Sequence, residues 1–168
     1  FLKDLGNIFQ VFRQEVFQIL HAPGVYYRPL LTLSFMFDAQ IAGAHPFFYH
    51  LTNLLIHLSV TCLLFHFLLK LQLKRELALF FSLIFSVHPV LSQAVAWIPG
   101  RNDSLLALFS LLFLEFFLNF LKTKKYQYLI GNLIFFTLAL FTKESAVLLP
   151  FLLILYLCLI KKERIIFI

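Results

Sequence analysis

The stretch HPVLSQAVAWIPGRND, residues 88–103, interrupts a chain that is otherwise built from long apolar runs. It contains two prolines and a glycine, together with the ionisable residues His88, Arg101 and Asp103. Lipid cannot hydrogen-bond a backbone that leaves the helix, so such a break must lie at the interface or line a wet cavity. Ionisable side chains in that position are candidates for function.

Composition places the rest of the chain in a membrane. Of 168 residues, 61% are hydrophobic and only 13% are charged, whereas a soluble domain is about half apolar and a quarter charged. The net charge of +6 does not indicate nucleic-acid binding, because the basic residues fall between apolar runs, where they set membrane topology. Cys62 and Cys158 stand alone and predict neither a disulfide framework nor a metal site.

The apolar runs predict an all-α, polytopic membrane bundle. Residues 1–42 have the pattern of two interfacial helices, an amphipathic one over Phe1–Leu20, ended by Pro23-Gly24, and a short one over Leu30–Ala42. The second is about 20 Å long, too short for a hydrocarbon core of about 30 Å. Residues 47–160 then hold about five spans, over Phe47–Leu69, Glu76–Ile98 with a break at His88-Pro89, Ser104–Leu121, Tyr126–Phe141 and Ala146–Ile160.

The two ends of the chain have the pattern that we expect of a fragment. It starts without methionine and stops inside an apolar run, so we expect a partial membrane domain truncated at both ends.

Basic clusters predict which ends of the spans face the cytoplasm. Three of them alternate with the remaining connections, at Lys70/Lys74/Arg75, Lys122/Lys124/Lys125 and Lys161/Lys162/Arg164. The opposite, outer face then collects the other ionisable residues, namely Arg28, His45, His50, His88, Arg101, Asp103, Lys143 and Glu144.

The cations of this face are suited to an anionic ligand. Arg28, Arg101 and Lys143 would hold a phosphate or pyrophosphate, for which guanidinium offers a planar fork of donors. The alternative is that they anchor the protein to lipid head groups by snorkelling.

The remaining polar residues of the face each have two interpretations. Asp103 would face the polar site and help to position a sugar, a metal or Arg101. The alternative, which is compatible with this role, is that Asn102 or Asp103 is the N-cap of the following helix. Glu144 either joins the site or only neutralises Lys143. His88 either contacts substrate or only tolerates the break before Pro89.

A polar stripe of His50, Asn53 and His57 runs along one side of the first span. This stripe predicts that the three side chains face the protein interior and support the site. The alternative is helix–helix hydrogen bonding, worth roughly 0.6 kcal/mol per bond. The two histidines lie about 10 Å apart along the helix, beyond the reach of one ion, so these two alone do not predict a metal site. No cofactor is evident from the sequence, which leaves a divalent metal open without indicating one.

Several strings of the chain occur together and in the same order in one known family. They are Tyr27–Leu30, Tyr49–His57, His88–Val90, Ala94–Asp103, Thr142–Val147 and Pro150. From Tyr26 to Tyr156 the chain resembles the transmembrane and tetratricopeptide-repeat (TMTC-type) protein O-mannosyltransferases and their bacterial relatives, which are GT-C glycosyltransferases. The string Trp97-Ile98-Pro99-Gly100-Arg101-Asn102-Asp103 is the most specific part.

This resemblance implies transfer of a sugar, mannose in the family, from a polyprenyl- or dolichyl-phosphate donor to a protein hydroxyl. The site would face the periplasm of a bacterial inner membrane or, alternatively, the lumen of the endoplasmic reticulum, with membrane lipids around it. Arg28, Arg101 and Lys143 would stabilise the leaving phosphate, while His88, Asp103 and Glu144 would line the site.

The resemblance also implies parts that this chain lacks. The family's catalytic carboxylate lies in an outer loop that would precede Phe1, and neither Asp4 nor Glu15 matches it. Tetratricopeptide repeats would follow the membrane domain. We therefore expect the fragment to be inactive alone. The alternatives are a non-catalytic scaffold or lipid-linked-sugar binder and, more weakly, a flippase, which would need polar residues continuing to the basic end.

Overall fold

The computed structural model of the protein describes residues 1–13 and 26–166, with side chains as far as Leu159. Every regular element within these residues is helical, which confirms the predicted all-α fold. Large apolar side chains cover the outer surfaces of the bundle, among them Leu55, Phe80, Leu133 and Phe151. Together with the long apolar helices, this exterior is that of an integral membrane protein.

Eight α-helices and four short 3₁₀ turns make up the described part of the chain. The helices are α1 (Ile8–Val11), α2 (Pro29–Ala42), α3 (Pro46–Lys70), α4 (Arg75–Val87), α5 (Ser92–Ala96), α6 (Arg101–Thr123), α7 (Tyr126–Leu140) and α8 (Leu149–Ile166). The 3₁₀ turns are Leu5–Asn7, Pro89–Leu91, Ile98–Gly100 and Glu144–Leu148. α2 and α3 each begin at a proline, whose missing amide and fixed φ suit a first helical position.

Two helices are long and apolar enough to cross a membrane, α3 and the continuous segment Ile98–Thr123. α4 and the segment Pro89–Ala96 form a third span if taken together, with a 50° bend between them. The predicted break at His88-Pro89 is thereby confirmed. α2, α7 and the segment Glu144–Leu159 are apolar but shorter, so the number of five crossings stays a prediction.

The amphipathic helix predicted over Phe1–Leu20 is wrong at its start. Asp4 accepts a hydrogen bond from the Gly6 amide at 2.8 Å, and this cap makes the helical turns begin at Leu5. Phe1–Asp4 form a turn instead, and the described α1 ends at Val11. The rest of the predicted helix, with its end at Pro23-Gly24, lies outside the described residues.

α3 and α6 run parallel through the middle of the bundle. Asn53 near the start of α3 bonds Arg101 at the start of α6, and His66 farther along α3 bonds Glu115 farther along α6. The two bonds span 48 and 49 residues of sequence. The register between the helices therefore differs by only one residue between the two points.

The other contacts between helices use small or polar residues, as is usual in membranes. α4 buries Ala78 and Ser82. At the α6–α7 interface, the buried Asn132 donates to the Phe113 carbonyl at 2.7 Å. A Cβ at Gly131 would lie 2.2 Å from the ring of Phe116, so only glycine permits this approach.

Candidate functional site

Two ion pairs join three segments of the chain at one end of the bundle. Arg28, just before α2, donates through Nε and Nη2 to Oε1 and Oε2 of Glu144, at 3.2 and 3.0 Å. The Lys143 ammonium donates to Oδ1 of Asp103, in the first turn of α6. We call these residues the four-charge cluster. The structure thus brings together four of the predicted site residues.

The pairing inside the four-charge cluster corrects one prediction. Glu144 does not neutralise its neighbour Lys143, which binds Asp103 instead. The backbone of Lys143 is extended, with φ −158° and ψ 142°. Successive side chains of an extended segment point in opposite directions, so the two neighbours find different partners.

The carboxylates of the four-charge cluster are more accessible than its cations. The Glu144 and Asp103 side chains are 55% and 51% exposed, against 16% for Arg28 and 28% for Lys143. Burial raises the pKa of Glu144, but hydrogen bonds from Arg28 and the Glu144 backbone outweigh it, and the pKa lies below its ordinary value. Exposed ion pairs are worth little, and both of these pairs are open to solvent on the side of their carboxylates.

An apolar groove of about 460 Å³ begins beside the four-charge cluster. Leu30 and Phe141 line it and lie two residues from Arg28 and Lys143, respectively, and the Leu30 amide donates to the Phe141 carbonyl at 3.3 Å. Its remaining lining comes from α7 and the N-terminal segment, with Phe12, Ile130, Leu133, Ile134, Thr137 and Leu138. The groove is therefore an apolar surface with charged residues near one end.

Arg101, predicted to bind phosphate, is completely buried in the protein. Its guanidinium donates to Asp38 Oδ2 at 2.5 Å and to Asn53 Oδ1 at 2.6 Å. Further bonds reach the Ser34 hydroxyl at 3.1 Å and the Tyr49 carbonyl at 2.9 Å. The anion that Arg101 holds in this structure is therefore the carboxylate of Asp38. We call this set, with Thr52 on the other oxygen of Asp38, the Arg101 network.

The Arg101 network also fixes the turn before α6. The Asn53 amide group lies 3.2 Å from the Val95 carbonyl oxygen and 3.3 Å from that of Trp97, donating to both. Gly100 packs so closely on α5 that a Cβ there would lie 2.5 Å from the Gln93 carbonyl oxygen. These contacts explain why asparagine and glycine stand at their positions.

The helix-cap alternative for Asp103 and Asn102 is wrong. The 3₁₀ turn Ile98–Gly100 leads directly into α6, so the helix begins at Arg101 and its N-cap is Gly100, which has no side chain to cap with. Asp103 lies in the first turn, where the helix dipole favours a negative charge.

The three predicted stripe residues separate in the structure. Asn53 and His57 are buried, and His57 Nε2 donates to the Ser86 carbonyl at 3.0 Å while its ring stacks on Phe85. These contacts favour the helix–helix alternative. His50 is exposed.

His88, like His50, is exposed. It lines a cavity together with His57, and no residue of the four-charge cluster lines that cavity. His88 Nδ1 accepts the Val90 amide at 3.3 Å, which caps the 3₁₀ turn. No hydrogen bond or ion pair of the described residues joins either histidine to the four-charge cluster. Among those residues, no group of three His, Cys, Asp or Glu is placed to hold a metal ion.

A second charged group, missed from the sequence, lies toward the other end of α3 and α6. Glu115 is buried and accepts from Lys70 at 3.1 Å, while its other oxygen lies 2.6 Å from His66 Nδ1. Glu115 is the only acid in the apolar run of α6 beyond its first turn, and a carboxylate at such a position requires a partner. That signal, and the same signal at Asp38, was available in the sequence.

Comparison with known proteins agrees with this architecture. The family model for dolichyl-phosphate-mannose-protein mannosyltransferases matches residues 29–167. Protein O-mannosyl-transferase TMTC1 of Mus musculus is 42% identical over 98 residues, 58% of this chain and 10% of that protein. Protein O-mannosyl-transferase TMTC2 of Mus musculus is 40% identical over 101 residues, 60% of this chain and 12% of that protein.

A relative from an insect extends the comparison. Protein O-mannosyl-transferase Tmtc3 of Drosophila melanogaster is 36% identical over 118 residues, 58% of this chain and 12% of that protein. The chain thus spans about a tenth of the length of the curated relatives it matches. No solved structure matches it. Because the family model covers most of its length, the chain belongs to the dolichyl-phosphate-mannose-protein mannosyltransferase family and is of the TMTC type.

Proposed function

We propose that the chain forms part of the membrane core of a glycosyltransferase that moves mannose from a polyprenyl- or dolichyl-phosphate donor to a protein hydroxyl. The observation that carries this proposal is the four-charge cluster at the mouth of an apolar groove. A lipid-linked sugar phosphate has the same two parts, an anionic head and a long apolar chain.

Arg28 and Lys143 would bind the donor phosphate. Both lie at the charged end of the groove, and each is now paired with an exposed carboxylate that phosphate would displace. The prenyl chain would lie along α7, against Leu133 and Leu138, which line the groove. Displaced from their cations, the carboxylates of Asp103 and Glu144 would be free to accept hydrogen bonds from sugar hydroxyls.

In the transfer itself, the acceptor oxygen forms a bond to the anomeric carbon of the sugar while the bond from that carbon to the phosphate oxygen breaks. The electron pair of the broken bond leaves with the phosphate, whose growing charge Arg28 and Lys143 would stabilise. The acceptor proton passes to a carboxylate base, which the resemblance assigns to a loop that would precede Phe1. His88 and His50 are exposed, and we assign them no step.

The test is mannose transfer by the full-length protein from a polyprenyl-phosphate-mannose donor. We expect Arg28→Ala and Lys143→Ala each to lower kcat/KM by about 10²–10³-fold, the effect of removing one stabilising donor. Lys122→Ala is the matched control, because this exposed lysine lies at the opposite end of α6. Wild-type transfer by both cluster variants would rule out the phosphate assignment.

The groove has a test of its own. Leu133→Trp adds volume where the prenyl chain would lie, so KM should rise for a long-chain donor and stay constant for a donor with a short prenyl tail. Equal effects on both donors would argue against the groove.

The alternative is a non-catalytic module that only binds lipid-linked sugar. It predicts saturable binding of the same donor, sensitive to Arg28→Ala, with no transfer under any condition. The site would face the periplasm or the endoplasmic reticulum lumen. Labelling of Asp103→Cys and Ser145→Cys by a membrane-impermeant thiol reagent from that side tests this orientation.

A further inference from the structure

We infer that Asp38 is a positioning residue, which acts through Arg101 to hold Asp103 against Lys143. This inference rests on the proposed function, because the group it positions is the four-charge cluster. Asp38 lies in α2 and is 2% exposed. Both of its carboxylate oxygens are occupied, Oδ1 by the Thr52 hydroxyl at 2.8 Å and Oδ2 by Arg101 at 2.5 Å.

The path from Asp38 to the cluster is short. Arg101 is the first residue of α6, and Asp103 follows in the same helical turn. Whatever fixes the Arg101 side chain therefore fixes where this turn starts and which way Asp103 projects. Of the anionic groups that hold Arg101 in the described part of the chain, Asp38 is the only one.

Another member of the Arg101 network, Asn53, also fixes the position of the first turn of α6. Asn53, completely buried, accepts from Arg101 and donates to the carbonyls of Val95 and Trp97. The same side chain thus holds both α6 and the segment before it. Without the Asp38 carboxylate, the Arg101 guanidinium keeps only neutral partners. A buried charge without a counter-charge is unfavourable, so we expect the guanidinium to move toward water.

The first test measures position without activity. In the full-length protein with Cys62→Ser and Cys158→Ser, the pair Asp103→Cys and Lys143→Cys should be joined by a short bifunctional thiol reagent that spans the length of the lost ion pair. We expect Asp38→Asn to slow formation of this cross-link about tenfold or more, and Thr52→Val to slow it less because the carboxylate stays. Cross-linking at the parental rate in Asp38→Asn would overturn the inference.

Glu115→Gln is the matched control. It removes the charge of the other buried carboxylate that joins α3 and α6, at the opposite end of the pair. The cross-link should form at the parental rate in this variant. If Glu115→Gln slows it as much as Asp38→Asn does, the effect is general loosening and the positioning role is rejected.

The second test measures transfer with Asp103 and Lys143 intact. Asp38→Asn should lower kcat by about 10- to 100-fold, the effect of a small misplacement of catalytic geometry, and Asp38→Glu should recover part of the loss. Slower cross-linking with unchanged transfer would support the positioning role but reject the proposed donor site. Unchanged cross-linking with lost transfer would reject the positioning role alone.

Discussion

Arg101 Nη2 lies 2.5 Å from Asp38 Oδ2, and neither side chain is exposed by more than 2%. The two residues are 63 positions apart and join α2 to α6. A buried guanidinium is tolerated only with such a partner and with its remaining donors satisfied. Arg101 therefore needs both the carboxylate of Asp38 and partners for its other donors to remain buried.

Breaking this pair should destabilise the protein strongly. Asp38→Ala leaves the Arg101 charge buried without an anion, so we expect the free energy of unfolding to fall by about 3–5 kcal/mol. Chemical unfolding in detergent measures it. The double variant Asp38→Leu, Arg101→Met removes both charges and should be less destabilised than Asp38→Ala, whereas equal or greater loss would contradict the argument.

The α6–α7 interface depends on a glycine. Gly131→Ala places a Cβ against the ring of Phe116, at 2.2 Å in the present geometry, and overpacking of this kind costs about 1–3 kcal/mol. Thermal unfolding of the purified protein measures the loss. Adding Phe116→Ala removes the clash, so Gly131→Ala should be less harmful in that background, and an undiminished effect would place the strain elsewhere.

The Arg28–Glu144 pair should respond to acid. The pKa of Glu144 is lower in the folded protein than its ordinary value of 4.5, so its contribution to stability is complete above that value and is lost as the pH falls through the lowered pKa. The Tm difference between the wild type and Glu144→Gln, measured across pH, should be constant near neutrality and shrink in acid. A difference that grows on acidification would have the wrong sign.

The His66–Glu115–Lys70 group should matter for stability and not for the donor. Glu115→Ala leaves the Lys70 ammonium, only 16% exposed, without its carboxylate, which should cost about 1–3 kcal/mol. KM for the lipid donor should stay constant, because the four-charge cluster lies at the other end. His66→Ala should cost less, since that side chain is 57% exposed. A raised KM would place this group within the donor site.

Helix positions were predictable because membrane helices appear in the sequence as long apolar runs bounded by charged residues or proline. The span predicted over Phe47–Leu69 corresponds to the observed helix Pro46–Lys70. The break predicted at His88-Pro89 corresponds to the observed bend between α4 and the segment Pro89–Ala96. The start of α6 was missed by three residues, because Pro99-Gly100 was taken as the end of an element when it forms a 3₁₀ turn leading into one.

Pairing was not predictable from the sequence. The gathering of Arg28, Asp103, Lys143 and Glu144 followed from counting crossings, but which cation meets which carboxylate depends on backbone direction at Lys143. The phosphate role predicted for Arg101 depended on access to solvent, which the sequence does not contain. The sequence does not link Asp38 with Arg101, because the two residues lie on different helices and 63 positions apart.

α3 and α6 are joined by buried polar contacts at two levels, Arg101 with Asn53 and Lys70 with Glu115. The pairs Arg28–Glu144 and Lys143–Asp103 lie outside these contacts, and both are partly accessible to solvent. Exchange of either carboxylate for another anion therefore breaks neither of the contacts that align α3 with α6.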